Sequence, residues 1–367
     1  MKKLGFGCMR LPLTEKGNDE TVDRAYASEM FDTFIERGFT YFDTAYMYHK
    51  SMSEKVVGEC LVSRHERDSF LLASKMPVGM IEKQEDTDRI FADQKKKCNT
   101  EYFDYYLFHC LNTENYEKAV KFGVFENLAE KKKKGEIRKL GFSFHDSAEV
   151  LDKILTEHPE TEFVQLQINY LDWENESVQS RLCYETARKH GKDIIVMEPV
   201  KGGELANVPD EVRQMLLKEK PGISPAQFAL GFCASLEGVI LVLSGMSDRD
   251  QLKENMEYFD KIEGFTEKDF ELAFRAAEMI RNDKLIPCTA CQYFVEGCPS
   301  KIDIPKYFAV HNNFVRGNRS VKYSDVAEKS AAPDKCIACG KCEKSGPQKI
   351  DIIARLQKIS EKMKLGD

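Results

Sequence analysis

The chain has 367 residues, 42% of them hydrophobic, and a formal net charge of −7. That length exceeds one average domain and suits a large barrel with a small appendage. The acidic balance argues against a general nucleic-acid binder. No run approaches the ~20 apolar residues of a membrane span, and MKKLGFGCMRLP at the start lacks the apolar core of a signal peptide, so none is expected.

Short β-rich runs recur in chain order at 3–9, 40–45, 70–75, 104–109, 138–144, 163–169, 193–199 and 238–245. Charged segments of helical periodicity lie between them, such as DETVDRAYASEMFDTFIERG and YEKAVKFGVFENLAEKKKKG. Strand then helix, eight times over, predicts parallel strands with crossover helices. Eight such units within about 280 residues is the arithmetic of an α/β (β/α)8 TIM barrel. Barrel chemistry sits at the C-terminal ends of the strands, and polar residues gather there. The second strand runs into FDTAYMYH, the third ends in Lys75 and the fourth in His109. The sixth carries Gln167 and Asn169, and the seventh ends MEP. One His after a strand is more often structural than catalytic. Four polar groups on three successive strand ends point to a site.

The motifs FDTAYMY, LLASK and YYLFH, in this order and at these separations, resemble the aldo-keto reductase family over roughly residues 1–280. The resemblance implies a catalytic tetrad of Asp43, Tyr48, Lys75 and His109. It implies an NAD(P)H-dependent oxidoreductase that reduces a small-molecule carbonyl to an alcohol, or the reverse. Carbonyl reduction needs a proton donor at the oxygen, and an unperturbed tyrosine hydroxyl has a pKa near about 10. The Lys75 ammonium is expected to lower it, with Asp43 holding Lys75 and His109 orienting the substrate oxygen. Tyr46 is the nearest rival for the acid; the family spacing favours Tyr48. Ser143 and Gln167 match positions that hold the nicotinamide carboxamide, although Phe144 follows where Asn is common. Met197 takes the place of a stacking tyrosine. In LSGMSDRDQLKEN, which resembles the segment gripping the adenosine end, the matching residues are Ser244, Gly245, Gln251, Glu254 and Asn255. Family habit implies NADP(H) rather than NAD(H). Gly245 and Gln251 replace the usual cations for a 2′-phosphate, with Arg249 as a substitute.

The chain holds 12 cysteines. Cys8, Cys60, Cys98, Cys110, Cys183 and Cys233 are scattered and read as buried free thiols. The others cluster between Cys288 and Cys342. CTACQYFVEGCPSKIDIP, from Cys288, overlays CIACGKCEKSGPQKIDII, from Cys336, at an offset of 48 residues. Each copy supplies a cysteine the other lacks: Phe294 faces Cys342, and Cys298 faces Gly346. The parent pattern resembles the two-cluster bacterial ferredoxin run, in which the fourth cysteine of each run ligates the other cluster. That crossing leaves one intact [4Fe–4S] site at Cys298, Cys336, Cys339 and Cys342. The other keeps only Cys288 and Cys291, which are expected to bind nothing. Four thiolates also suit zinc, which is the main rival.

A mostly helical ferredoxin-like iron–sulfur domain is therefore expected over 281–356, after a barrel over 1–280 and before a charged tail over 357–367. Along its whole length the chain resembles aldo-keto reductases that carry such a domain. The cluster points to a cytoplasmic protein. It fits a structural fastener, because nicotinamide moves electrons in pairs and a cluster moves them singly. The alternative is an electron-transfer protein whose barrel binds a flavin or docks a redox partner protein.

Overall fold

The computed structural model describes residues 2–281, 285–292, 297–315, 321–346 and 348–364. Phe294, Gly317 and Pro347 lie outside the described residues. Eight parallel strands close on themselves in chain order: β1 Leu4–Gly7, β2 Tyr41–Asp43, β3 Leu71–Met76, β4 Phe103–Leu111, β5 Ile137–Phe144, β6 Phe163–Gln167, β7 Asp193–Met197 and β8 Val239–Ser244. Each expected run overlaps one strand.

Successive residues of a strand face opposite sides of the sheet, and this period sorts the barrel. Tyr41, Ala73, Leu107, Phe163, Ile195, Leu241 and Leu243 fill the interior. Their neighbours face outward: Phe42 meets Phe31 and Phe34 of the helix Arg24–Glu36 edge-on, with ring centroids 5.2 and 5.3 Å apart. Edge-to-face pairs of this kind add about 0.5–1.5 kcal/mol each beyond the area they bury. Side-chain caps start the flanking helices. Asp23, Asn112, Ser147 and Asp248 each accept a backbone N–H of the first turn.

The chain divides into two compact units. One holds the barrel strands. The other contains residues 175–178, 200–229 and 268–367, so residues 200–229, read above as barrel, belong with the C-terminal segment. Among its described residues beyond 285 this second unit is helical: Ile304–Val315, Tyr323–Ala327, Lys341–Ser345 and Ile352–Lys364, with no strand. The expected charged tail at 357–367 is also corrected. The last helix runs through Lys364, and Ile352, Leu356 and Ile359 are all buried. Their i, i+4, i+7 spacing is one helical stripe that crosses the boundary at 356.

The internal repeat is a repeat of backbone as well as of sequence. Ala290 and Ala338 have φ of 51° and 52°, Gln292 and Gly340 have 66° and 71°, and Lys301 and Lys349 have 54° and 49°. Left-handed φ is uncommon outside glycine, so three matching pairs mark one loop built twice. Lys301 donates its N–H to the Cys298 carbonyl at 3.0 Å, as Lys349 does to Gly346 at 3.3 Å. The following helices begin at the equivalent Ile304 and Ile352.

Gly141 on β5 lies tight against β6. A Cβ there would lie 2.3 Å from the Phe163 carbonyl oxygen, a backbone atom that cannot swing aside. Gly141→Ala is expected to destabilise the barrel by about 1–3 kcal/mol through overpacking. Urea unfolding checks it as a lowered midpoint at unchanged slope.

Candidate active site

The period that fills the barrel also builds its rim. Asp43, Lys75 and His109 each lie two residues beyond a core residue on their strand, namely Tyr41, Ala73 and Leu107. They therefore share the inward face at the C-terminal end. Ser143, Gln167 and Met197 follow on β5, β6 and β7 with the same parity, and Gln167 is in register with Met197. Tyr48 comes from the turn after β2, its N–H donating to the Ala45 carbonyl.

Lys75 is 0% exposed. Its Nζ donates to Asp43 Oδ1 at 2.5 Å, to the Thr44 carbonyl at 2.9 Å and to Tyr48 Oη at 3.1 Å. The Tyr48 ring meets the His109 ring edge-on, centroids 6.0 Å apart. All four expected catalytic side chains are thus brought together and buried. Tyr46 is not among them: its ring lies under Lys97 Nζ, 3.8 Å from the centroid.

The electrostatics differ from expectation at Tyr48. Burial pushes its phenol well above the ordinary tyrosine range, and negative charge on Asp43 and Glu198 adds to the rise. Burial outweighs the ammonium, whose charge Asp43 already shares. Burial also lifts the Asp43 carboxyl, with Lys75 opposing. It drives His109 well below the usual imidazole value, with Lys75 and His145 adding. The rim therefore presents a protonated phenol and a neutral imidazole.

A second layer holds β3 from behind and escaped the sequence reading. Gln94 Nε2 donates to the Lys75 carbonyl and to Glu54 Oε1, at 3.0 and 2.6 Å. Ser74 also donates to Glu54, and Tyr106 to Gln94. The signal was present as a lone Gln on the buried stripe Thr87, Ile90, Phe91, Gln94 of the helix Glu85–Lys97.

The expected dinucleotide residues are distributed as follows. Ser143 Oγ accepts the Cys110 N–H at 2.8 Å, beside His109. Gln167 Nε2 donates to Asp172 at 2.9 Å, and Met197 Sδ lies 3.6 Å from Gln165. Ser244 Oγ accepts from Asn255 at 3.1 Å. Gly245 lies against the Arg10 side chain, and Gln251 accepts the Ser247 N–H. Glu254 is half-buried on the helix Arg249–Asp260. Arg249, the expected substitute cation, pairs with Glu29 and lies over the Tyr26 ring.

The second unit holds a further candidate site. Cys298, Cys336, Cys339 and Cys342 line one pocket, walled by Ile302, Ile304, Ile353 and Leu356. Burial pushes the Cys342 thiol up to about 11, and Cys336 adds to the rise. A second pocket contains Cys288, Thr289, Cys291, Gly346, Gln348 and Lys349. Among the described residues, no three His, Cys, Asp or Glu side chains converge on a single-ion site.

The sequence profile of the Aldo/keto reductase family matches residues 3–273, and the chain belongs to that family. It is an NAD(P)H-dependent oxidoreductase on this barrel. An uncharacterized oxidoreductase of Bacillus subtilis is 23% identical over 291 residues, 70% of this chain and 87% of that protein. A methylglyoxal reductase of Escherichia coli is 34% identical over 116 residues, 32% of this chain and 38% of that one. Among solved structures, an aldo-keto reductase from Bacillus halodurans in its holo form aligns with TM-score 0.60 at 24% identity, covering 75% of this chain and 91% of its own. One from Klebsiella pneumoniae in complex with NADP and acetate aligns at 0.58 and 18%, covering 74% and 90%. Among the described residues no helix is long and apolar enough to cross a membrane.

The depressed His109 fixes a sign. The unfolded chain binds a proton there below about pH 6.5 while the folded chain does not, so this residue's contribution to stability falls as pH drops. Between about pH 7.5 and about pH 5 wild type should lose more stability than His109→Gln. Urea midpoints of the two proteins at both pH values check it.

Proposed function

We propose that this chain reduces a small-molecule carbonyl to the alcohol, and runs the reverse reaction, with Tyr48 as the proton donor. The observation that carries this reading is the 3.1 Å hydrogen bond from Lys75 Nζ to Tyr48 Oη, with Lys75 held by Asp43. A phenol raised by burial stays protonated at working pH, which suits the reductive direction. As the carbonyl oxygen gains negative charge it takes the Tyr48 proton. The phenolate left behind then faces a fixed ammonium in a site closed to water, an interaction that strengthens only as the reaction proceeds. Neutral His109 offers an N–H to the same oxygen and orients it. Ser143 and Gln167, a hydroxyl and an amide on neighbouring strand ends, suit the nicotinamide carboxamide; when bound, the nicotinamide supplies the hydride. Ser244, Gly245, Gln251, Glu254 and Asn255 would hold the adenosine end. NADP(H) is preferred to NAD(H) in this reading, on the strength of the Klebsiella relative solved with NADP.

The same reading gives the second unit one [4Fe–4S] cluster on Cys298, Cys336, Cys339 and Cys342, in a C-terminal ferredoxin-like domain. Two observations support it. The four cysteines come from both copies of the repeat, as the crossing rule requires, and line one apolar-walled pocket. Zinc is the rival for the same four thiolates, and the iron and sulfide content of the protein distinguishes the two. The cluster would act as a cross-link holding the two copies together. The complete tetrad favours catalysis over an electron-transfer barrel that binds a flavin or docks a redox partner.

Tyr48→Phe should lower kcat by about 10²–10⁴ while leaving NADPH binding, read by fluorescence quenching, unchanged. Unaltered turnover would overturn the catalytic reading. Anaerobically purified protein should carry about four irons and four sulfides per chain. Cys339→Ser should lose them and keep carbonyl turnover; zinc in their place would refute the cluster.

A further inference from the structure

The repeat leaves one half without a full ligand set, yet that half keeps its fold. Ala290, Gln292 and Lys349 hold the left-handed φ of their partners in the cysteine-complete half. Cys288 and Cys291 line one pocket, as Cys336 and Cys339 line theirs. Gly346 stands where the other pocket has Cys298, and the pocket's remaining described residues carry no third sulfur. Two thiolates are too few for a four-iron cluster. They are enough for a disulfide.

We infer that Cys288 and Cys291 form a reversible dithiol–disulfide pair whose reactivity Lys201 raises. The two cysteines are the ends of a four-residue loop, Cys288-Thr289-Ala290-Cys291. Both cysteines line one pocket, so their sulfurs border a common space. Disulfides span Cα separations of about 4.4–6.8 Å. The two thiols differ in access. Cys288 is half-buried and Cys291 buried, which suits an attacking and a resolving sulfur.

Lys201 supplies the charge. It is 3% exposed, and its Nζ donates to Gln348 Oε1 at 2.9 Å. Gln348 lines the same pocket as both thiols. The next residue, Gly202, presses on the loop between the cysteines: a Cβ there would lie 2.6 Å from Thr289 Cα. Lys201 is itself held at φ 48°, unusual for a lysine. Gln348 thus ties the ammonium to the wall of the pocket that both thiols line, and positive charge near a thiol favours the thiolate, the form that attacks a disulfide.

The oxidant is a small-molecule disulfide, here oxidised glutathione. The Cys288 thiolate attacks one of its sulfurs and releases one glutathione thiolate. Cys291 then displaces the second glutathione and closes the bond. The pair loses two electrons and two protons; the two glutathione thiols gain them. Nothing in this step draws on the barrel's chemistry or on the four cysteines of the other pocket.

The test uses the full chain, purified anaerobically and equilibrated with buffers of reduced and oxidised glutathione. Free thiols are alkylated at quench, and the peptide containing residues 288–291 is weighed. An internal disulfide that appears over a narrow range of buffer ratios, reverses with dithiothreitol and leaves the iron content unchanged supports the proposal. Lys201→Met should slow its formation about tenfold, and Lys201→Arg should restore the rate. Two alkylated thiols in every buffer would overturn the pair. So would glutathione held on single cysteines, or a bond from either residue to Cys298, Cys336, Cys339 or Cys342. A Lys201→Met protein that closes the bond at the wild-type rate would remove Lys201 from the account.

Discussion

A fully buried ammonium organises the rim of this barrel. Lys75 reaches no solvent, so its charge is balanced by the Asp43 carboxylate and by the dipoles of Thr44 and Tyr48. Removing one partner of a buried pair commonly costs about 3–5 kcal/mol, because the other charge is left unmatched. The arrangement thus has to be right for the barrel to fold well, and being right it places a cation on a phenol. Gln94 extends the constraint backward by holding the Lys75 carbonyl, with Glu54 and Tyr106 holding Gln94 in turn. Under the proposed function, position and charge at Tyr48 would be set before any substrate arrives, which is the condition for electrostatic preorganisation.

The C-terminal unit follows a different logic. Its two loops share backbone torsions although each lacks one of the four cysteines that the pattern calls for. The turn is held by hydrogen bonds such as those to the Cys298 and Gly346 carbonyls and by the helices that start at Ile304 and Ile352. A fold stabilised in this way does not depend on every cysteine of the pattern, and Cys288 and Cys291 still line a common pocket. In the ligand-poor half, the buried contact of Lys201 with Gln348 adds polar order.

Much of this was readable in the chain. The eight strands were legible because β-branched and aromatic residues cluster in short runs between amphipathic helices. The four expected tetrad residues came from the resemblance of FDTAYMY, LLASK and YYLFH to the family's motifs, and the period of two that carries Tyr41 to Asp43, Ala73 to Lys75 and Leu107 to His109 explains why three of them share a face. The direction of the Tyr48 shift was not, because it depends on burial and on Glu198, which approaches from a distant strand end. Glu54 and Gln94 carry no motif, and their roles emerge only from their buried hydrogen bonds to each other, to Ser74 and to the Lys75 carbonyl. The boundary at 356 went wrong because the charges around Ile359 masked a stripe that continues from Ile352 and Leu356. Residues 200–229 follow the strand–helix rhythm of the barrel, and only tertiary contacts assign them to the other unit.

The central claim is that residues 48 and 75 act as one device, and a double-mutant cycle on kcat/KM tests it most directly. Tyr48→Phe, Lys75→Met and the double variant are compared with wild type, using a reactive carbonyl such as methylglyoxal. If the ammonium serves the phenol, the second substitution adds little to the loss caused by the first, leaving a large coupling energy. Losses that simply add would mean that the two side chains work independently, and the account of the rim would be wrong.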